Sequence, residues 1–314
     1  MIHAGLIVGI DVSKARLDVH VHPSGEHWSC ANGRAGIAGL AKRLAGLLPA
    51  AVGMEASGGY EQALARALHA AGFAVHILPP ARVRAFARAI GQGAKTDALD
   101  AMMIARCLEA SRDRLVRYVP DPVRERLSAL GMHRRRLIAE RNGLASQLDT
   151  IAEPVVRRMI QARLRAIALG LVCLDKTVRL LLAATPHLQR QVDRLCQAKG
   201  VGPVLAGALV ADMTELGHIS AKAAAALIGV APHARQSGAS TRPGRCAGGR
   251  KALRDILYMA TLSAIKARDP VLAGFYKRLR EKGKPFKLAL VATMRKMITI
   301  LNAIARDHPA FQTT

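Results

Sequence analysis

Four carboxylates and one serine have the types and spacing for phosphodiester chemistry. Asp11 follows an apolar run that begins at Leu6, and Glu55 closes a second short run, Ala50–Glu55. Asp97 and Asp100 stand three residues apart at the head of a helical stretch, which puts them on one helix face. Neighbouring strand ends with a helix laid across them bring four such acids together. A cluster of this kind repels itself unless a cation neutralises it, and hard carboxylate oxygens suit magnesium or manganese. Metal ions held this way activate an attacking group and stabilise the leaving oxygen of a phosphodiester. Taken singly, each acid has an ordinary reading: Asp11 as a turn former, Glu55 as a surface residue, Asp97 as a helix-start acid favoured by the dipole. Together they are more telling, because residues 1–100 contain only seven acids.

The serine is Ser237, within Gln236–Ala252, a stretch rich in Gly, Ser and Arg. A serine hydroxyl is a weak nucleophile until a base or a metal assists it. Around it, Arg235, Arg242, Arg245, Arg250 and Lys251 are the residues to hold a nucleic-acid phosphate and offset charge in the transition state. Read from its residues alone, the stretch is a flexible phosphate-binding loop in which Ser237, Ser240 and Thr241 are hydrogen-bonding groups. Tyr258 is a rival nucleophile of the tyrosine-recombinase kind. No spaced Arg-His-Arg set precedes it, and its spacing with Leu253 and Leu257 fits a helix core. The eleven histidines show no metal-ligand spacing.

Hydrophobic spacing predicts the elements that position these groups. Leu6–Ile10 is a continuous apolar run, as in a buried strand. Leu17, Val19 and Val21 alternate with polar residues, as in a half-buried one, and Ser13–Arg16 turns between them. His27–Ala31 is a candidate third strand. A helix over Ala35–Leu48, the strand Ala50–Glu55, a break at Gly58–Gly59, a helix over Tyr60–Ala71, a strand over Phe73–Leu78 and helices over Arg82–Ile90 and Thr96–Glu109 follow, with Thr96 as N-cap. The order predicts a mixed α/β sheet with an N-terminal hairpin. Val123–Ala152 and Val155–Ala184, interrupted by Glu153–Pro154, read as an antiparallel helical hairpin: an arm or dimerisation element, or part of an ordinary bundle. From Val192 the chain is helical again, with helices over Ala252–Lys266, Pro270–Glu281 and Phe286–Arg306. The turn Gly200–Pro203 resembles half of a helix-hairpin-helix, and serves either a phosphate or a tight helix–helix turn.

Charge assigns the partner. The chain of 314 residues carries a net charge of +25, far more than folding needs, which points to a polyanion: nucleic acid first, an anionic membrane second. Residues 1–100 contribute +3, residues 101–200 contribute +10 and residues 201–314 contribute +12. A nearly balanced acidic-site module is thus followed by polyanion-binding modules. Only ten residues are Phe, Tyr or Trp, so aromatic platforms are not the main binding mode. No apolar run approaches the roughly 18 residues of a membrane span, and no signal peptide is visible. Five scattered cysteines without a Cys-x-x-Cys pair argue against a zinc site or disulfide framework and fit a reduced cytoplasm. Gly9-Ile10-Asp11 also resembles the first phosphate loop of actin-like sugar kinases, but those need a second, similar half, and here the second half is helical and basic.

At this point the motifs become specific. GIDVSKARLDVHV (9–21), GMEASGGYEQALARALHAAGFAVHILPP (53–80) and GAKTDALDAMMIARCL (93–108) resemble the N-terminal domain of the DEDD insertion-sequence transposases, the RNA-guided recombinases of bacterial mobile elements. GVGPVLAGALVADM (200–213), AALIGVAPHARQSG (225–238) and GRKALRDILYMA (249–260) resemble their C-terminal transposase domain, so the likeness spans the chain. The resemblance implies a RuvC-like, RNase H-type domain over residues 1–115, a helical-hairpin or coiled-coil arm over 116–190 and a mainly α-helical transposase domain over 191–314. It implies that Asp11, Glu55, Asp97 and Asp100 are the metal-binding tetrad and that Ser237 attacks DNA to form a covalent phosphoserine, with Ser240 as the fallback. It further implies magnesium or manganese, donor and target DNA, a structured guide RNA, a dimer or tetramer with a composite site between subunits, and a cytoplasmic, nucleoid-associated setting. The alternative of another class is a hydrolytic, metal-dependent Holliday-junction-type nuclease that uses the acids alone. A non-catalytic nucleic-acid scaffold is a further one.

Overall fold

The structure is a computed structural model that describes residues 5–91, 97–237 and 240–307. It forms two compact units, Met1–Pro120 and Asp121–Thr314.

The first unit runs β1 (Ile7–Val12), β2 (Arg16–His22), β3 (His27–Ala31), α1 (Arg34–Leu47), β4 (Ala51–Glu55), α2 (Gln62–Ala70), β5 (Val75–Leu78), α3 (Pro80–Ala89) and α4 (Asp97–Ser111). The sheet order is β3-β2-β1-β4-β5; the first three strands form an antiparallel meander, while β4 and β5 run parallel to β1. Side chains alternate between faces along each strand. Val8, Ile10, Val12, Val52 and Met54 pack with Ile37, Leu40 and Leu44 of α1 and Leu64 and Leu68 of α2. On the other face Ile7, Ala51 and Leu78 pack with Val83 of α3 and Ile104, Ala105 and Leu108 of α4. β1 reads as unbroken apolar sequence because both of its faces are covered. Gly9 has a specific cause: a Cβ there would collide with the backbone of Ala101 and Ala105, so glycine lets α4 lie directly on β1. This is the mixed α/β sheet with an N-terminal hairpin that the order of elements predicts. Two details differ. Helix α2 starts at Gln62, not Tyr60, and the N-cap assigned to Thr96 lies outside the described residues.

In the second unit α5 (Pro122–Leu148) and α6 (Pro154–Ala183) form the expected antiparallel hairpin. Both begin with proline at the first turn behind an acidic cap; Asp121 accepts from the backbone N–H of Val123 and Arg124 (3.1 and 3.0 Å), and Glu153 from that of Val155 (3.1 Å). Arg134–Asp175 (2.8 Å) and Arg163–Glu140 (2.6 Å) pair across the hairpin. Its base, at Leu127 and Leu182, shares one core with α7 (Pro186–Cys196), α8 (Pro203–Asp212), α9 (Ala221–Ile228), α10 (Lys251–Lys266) and α12 (Phe286–Arg306), against which α11 (Leu272–Glu281) packs. Helix α12 has the length and hydropathy of a membrane span but buries Leu290, Met294, Met297, Ile298 and Leu301 in this core. Gly200, in the left-handed region at φ +84°, backs onto Ala260 and Ala264 of α10, so the turn before α8 is also a close packing point.

The stretch 236–252, read from sequence as a loop, is in part an antiparallel ribbon: β6 (Pro232–Ser237) and β7 (Ser240–Cys246). Gly and Pro signal loops, yet a two-stranded ribbon has open edges where Pro243 needs no ladder partner.

Candidate functional site

Register builds the carboxylate site in the first unit. The parallel pairing of β1 with β4 sets Gly9 beside Gly53 and Ile10 beside Met54, so the next positions, Asp11 and Glu55, emerge side by side at the ends of their strands. Both lie two residues beyond a glycine on the face covered by α4. Helix α4 runs opposite to β1: Ala101 and Ala105 cross over Gly9, and Glu109 near its far end meets His22 (3.1 Å), which pairs with Ile7 at the start of β1. From Ala101 back to Asp97 the helix advances about 6 Å. From Gly9 on to Asp11 the strand advances about 6.6 Å. The first turn of α4, with Asp97 and Asp100, therefore stands at the edge where Asp11 and Glu55 end. Asp11, Glu55 and Asp100 are half-buried; of Asp97 the backbone alone is described. Among the described side chains no three His, Cys, Asp or Glu close into a metal cage. What fits a divalent cation is the chemistry and placement of the donors, all hard carboxylate oxygens on one sheet edge.

Sequence reasoning passed over three residues at this edge. Asp18 stands opposite Asp11 in the hairpin, is buried, and takes a hydrogen bond from Arg16 Nε (2.9 Å), which offsets its charge beside Asp11. Asn32 donates from Nδ2 to the carbonyl of Ser13 (2.8 Å) and to that of Tyr60 (3.4 Å), tying the loop after Asp11 to the loop after Glu55. Glu61 is only 5% exposed and accepts from Ser57 N–H (3.0 Å), Ser57 Oγ (2.9 Å) and Gly59 N–H (2.9 Å). Burial alone pushes its carboxyl up; hydrogen bonds from its own N–H, Gly59 and Ser57 outweigh that and hold it below the usual range. The signal that could have found it is the pair Gly58–Gly59, both left-handed here, which a helix-starting glutamate can fasten.

The serine hairpin of the second unit is held from its base. Ser237 ends β6 and pairs with Ser240 at the start of β7; Arg235 stands opposite Arg242, and the register shifts by one residue between His233 and Arg235. Arg245 and Lys251 are exposed, Lys251 pairing with Asp255 (2.5 Å) one turn on. Arg250 is used internally: its guanidinium grips Glu215 with two bonds (2.9 and 2.6 Å), and its N–H donates to the carbonyl of Leu227 (2.7 Å). Burial would raise the Glu215 carboxyl; the bonds and charge of Arg250 bring it below the usual range. Arg254 Nη1 donates to the carbonyls of Ile228 (3.1 Å) and Gly248 (2.6 Å), one on each side of the hairpin base. There Gly229 and Gly249, at φ +80° and +70°, leave no room for a side chain; a Cβ on Gly249 would collide with the backbone of Gly229. Tyr258 packs against the core from α10, in keeping with its helix-core spacing.

Comparisons with known proteins bear on both regions. Residues 8–154 match the family model of the DEDD transposases of the IS110 type, and residues 192–277 match a model described as transposase, IS116/IS110/IS902 family. The pilin gene-inverting proteins of Moraxella bovis and Moraxella lacunata are each 30% identical over 269 residues, covering 82% of this chain and 80% of their own. Among solved structures, T. thermophilus RuvC in complex with a Holliday junction substrate aligns over 36% of this chain and 99% of its own at 15% identity and a TM-score of 0.30. A second Thermus thermophilus RuvC structure aligns over the same shares at 17% and 0.28.

Proposed function

We propose, from the premise that the chain belongs to the IS110 family of DEDD transposases and is a DNA transposase/recombinase, that it cuts and exchanges strands through a covalent phosphoserine at Ser237. The observation that carries the reading is the register that sets Asp11 beside Glu55 under the start of α4, with an arginine-rich hairpin whose first strand ends at Ser237 as the second centre. Asp11, Glu55, Asp97 and Asp100 would hold magnesium or manganese, which when bound neutralises the acids and stabilises charge on the reacting phosphate. Ser237 Oγ attacks phosphorus; the new Oγ–P bond replaces a P–O bond of the backbone, and the hydroxyl proton leaves with the released strand end. Arg235, Arg242 and Arg245, with Lys251, steady the phosphate. Ser240, paired with Ser237 in the ribbon, is the fallback nucleophile.

Sequence choice in this reading belongs to a structured guide RNA pairing with donor and target DNA, leaving backbone contacts to a basic protein in the bacterial cytoplasm and nucleoid. Homo-oligomerisation has support on α6. Opposite its buried seam of Ile160, Ile167 and Leu171, the helix exposes Val155, Met159, Leu169 and Leu180, with Ala162, Ala166 and Cys173 filling the same three-and-four spacing. Strand cutting of DNA bearing the element's own ends, with element-derived RNA, tests the reading. Cutting should need a divalent ion and vanish in Asp11→Asn and Ser237→Ala; cutting that survives Ser237→Ala establishes the hydrolytic nuclease instead.

A further inference from the structure

The loop after Glu55 is built more firmly than a connection between a strand and a helix requires. Glu61 gathers the Ser57 and Gly59 N–H groups and the Ser57 hydroxyl onto one buried carboxylate oxygen. Gly58 and Gly59, at φ +77° and +113°, give the curvature, and Gln62 N–H closes on the carbonyl of Gly59 (3.2 Å). On the other side Asn32 holds the Tyr60 carbonyl and the Ser13 carbonyl together. Tyr60 thus has its main chain fixed from two directions, while the residue is 49% exposed.

That exposure is unusual for this unit. Its other aromatic rings are engaged: Trp28 lies under the Arg43 guanidinium (3.6 Å), Tyr118 meets His69 edge-on (6.3 Å), and Phe73 and Phe86 pack on the two cores. Tyr60 lies five residues past Glu55, and Asn32 ties it to Ser13, two residues past Asp11, so it stands on the rim of the carboxylate edge. An exposed aromatic ring on a backbone already held in place, beside acids suited to phosphodiester chemistry, fits a flat apolar ligand attached to a phosphate.

We propose that Tyr60 stacks on the nucleobase next to the phosphate being processed, and that Glu61 is the positioning residue that holds it there. This rests on the carboxylate edge being the cutting site. It adds a statement about substrate: the flanking base must be unpaired to reach the ring, so the site takes an opened or single strand rather than an intact duplex. One ring suffices, which agrees with a chain poor in aromatics.

The test is photo-crosslinking of the full chain, without divalent ion, to a single-stranded oligodeoxynucleotide with one 5-iodouracil, followed by peptide mapping. The adduct should map to Tyr60, fall about tenfold when the strand is placed in a duplex, and persist in Tyr60→Phe. Affinity for the single strand should drop about tenfold in Tyr60→Ala, the scale of one lost stacking contact. Glu61→Gln should lower the Tyr60 crosslink while the ring is still present and the thermal midpoint stays high enough for a folded chain. A crosslink pattern without Tyr60, or equal affinity in Tyr60→Ala, overturns the proposal. Metal-dependent cutting by Asp11→Asn would instead overturn the carboxylate reading on which it rests, so the two failures are distinct.

Discussion

The carboxylate edge of the first unit and the serine hairpin of the second are built by opposite means. At the edge, strand register and a helix seated on Gly9 deliver Asp11, Glu55 and the start of α4 from a packed core. The hairpin is a two-stranded ribbon held at its base, through Arg254, Arg250–Glu215 and the facing glycines. A group that must hold a metal within tenths of an ångström belongs on rigid strands. In the proposed function the attacking serine instead sits at the end of a short ribbon strand, in a hairpin fastened at its root.

The contrast can be broken by substitution. The largest effects are expected on cutting: at the edge Asp11→Asn should abolish it, as Ser237→Ala should at the hairpin, and Glu55→Gln should lower it by at least about 10²-fold, with the chain still folded in each case. At the hairpin base, Gly249→Ala should destabilise the second unit by about 1–3 kcal/mol through its left-handed backbone and the collision with Gly229. Arg250→Ala should cost about 1–2 kcal/mol, discounted because Arg250 is a third exposed. Calorimetry should show these losses in the second unit alone.

Acid should reach both regions by one route. Glu61 and Glu215 each have a folded-state value below the unfolded one. Their stabilisation is therefore complete above about pH 4.3, the unfolded value for glutamate, and is lost as the pH falls through the lowered folded values. Glu61→Gln and Glu215→Gln should each flatten the acid limb of a stability–pH curve, and an unchanged limb would contradict the pairings. The smallest effect on stability is expected on the outer face of α6. Leu169→Glu should abolish the proposed self-association in sedimentation with a stability change within about 0.5 kcal/mol, whereas Ile167→Glu, on the buried seam, should unfold the hairpin.

These differences mark what the sequence could tell. The strands were legible because apolar runs and alternation translate directly into burial, and Asp11 and Glu55 were legible as polar residues ending such runs. The tight seating of α4 on Gly9 was not, because it depends on neighbours about ninety residues along the chain; the pairing of Arg16 with Asp18, two residues apart on one face of β2, was within reach of the alternation. Glu61 was read as a helix residue, since its carboxylate turns back into the preceding loop instead of lying along α2. The ribbon β6–β7 was read as a loop because Arg, Gly and Pro carry no strand signal of their own. Arg250 was assigned to phosphate on composition, and its bidentate grip on Glu215 becomes visible only when α8, α9 and α10 are packed together.

The most direct measurement is the protein–DNA adduct itself. The full chain, its guide RNA and DNA carrying the element's ends are incubated with magnesium, denatured and analysed by mass spectrometry. The expected result is a covalent adduct on the peptide containing Ser237, absent in Ser237→Ala and in Asp11→Asn, and retained in Ser240→Ala. Cut DNA with no adduct, or an adduct on any other residue that persists in Ser237→Ala, would contradict it.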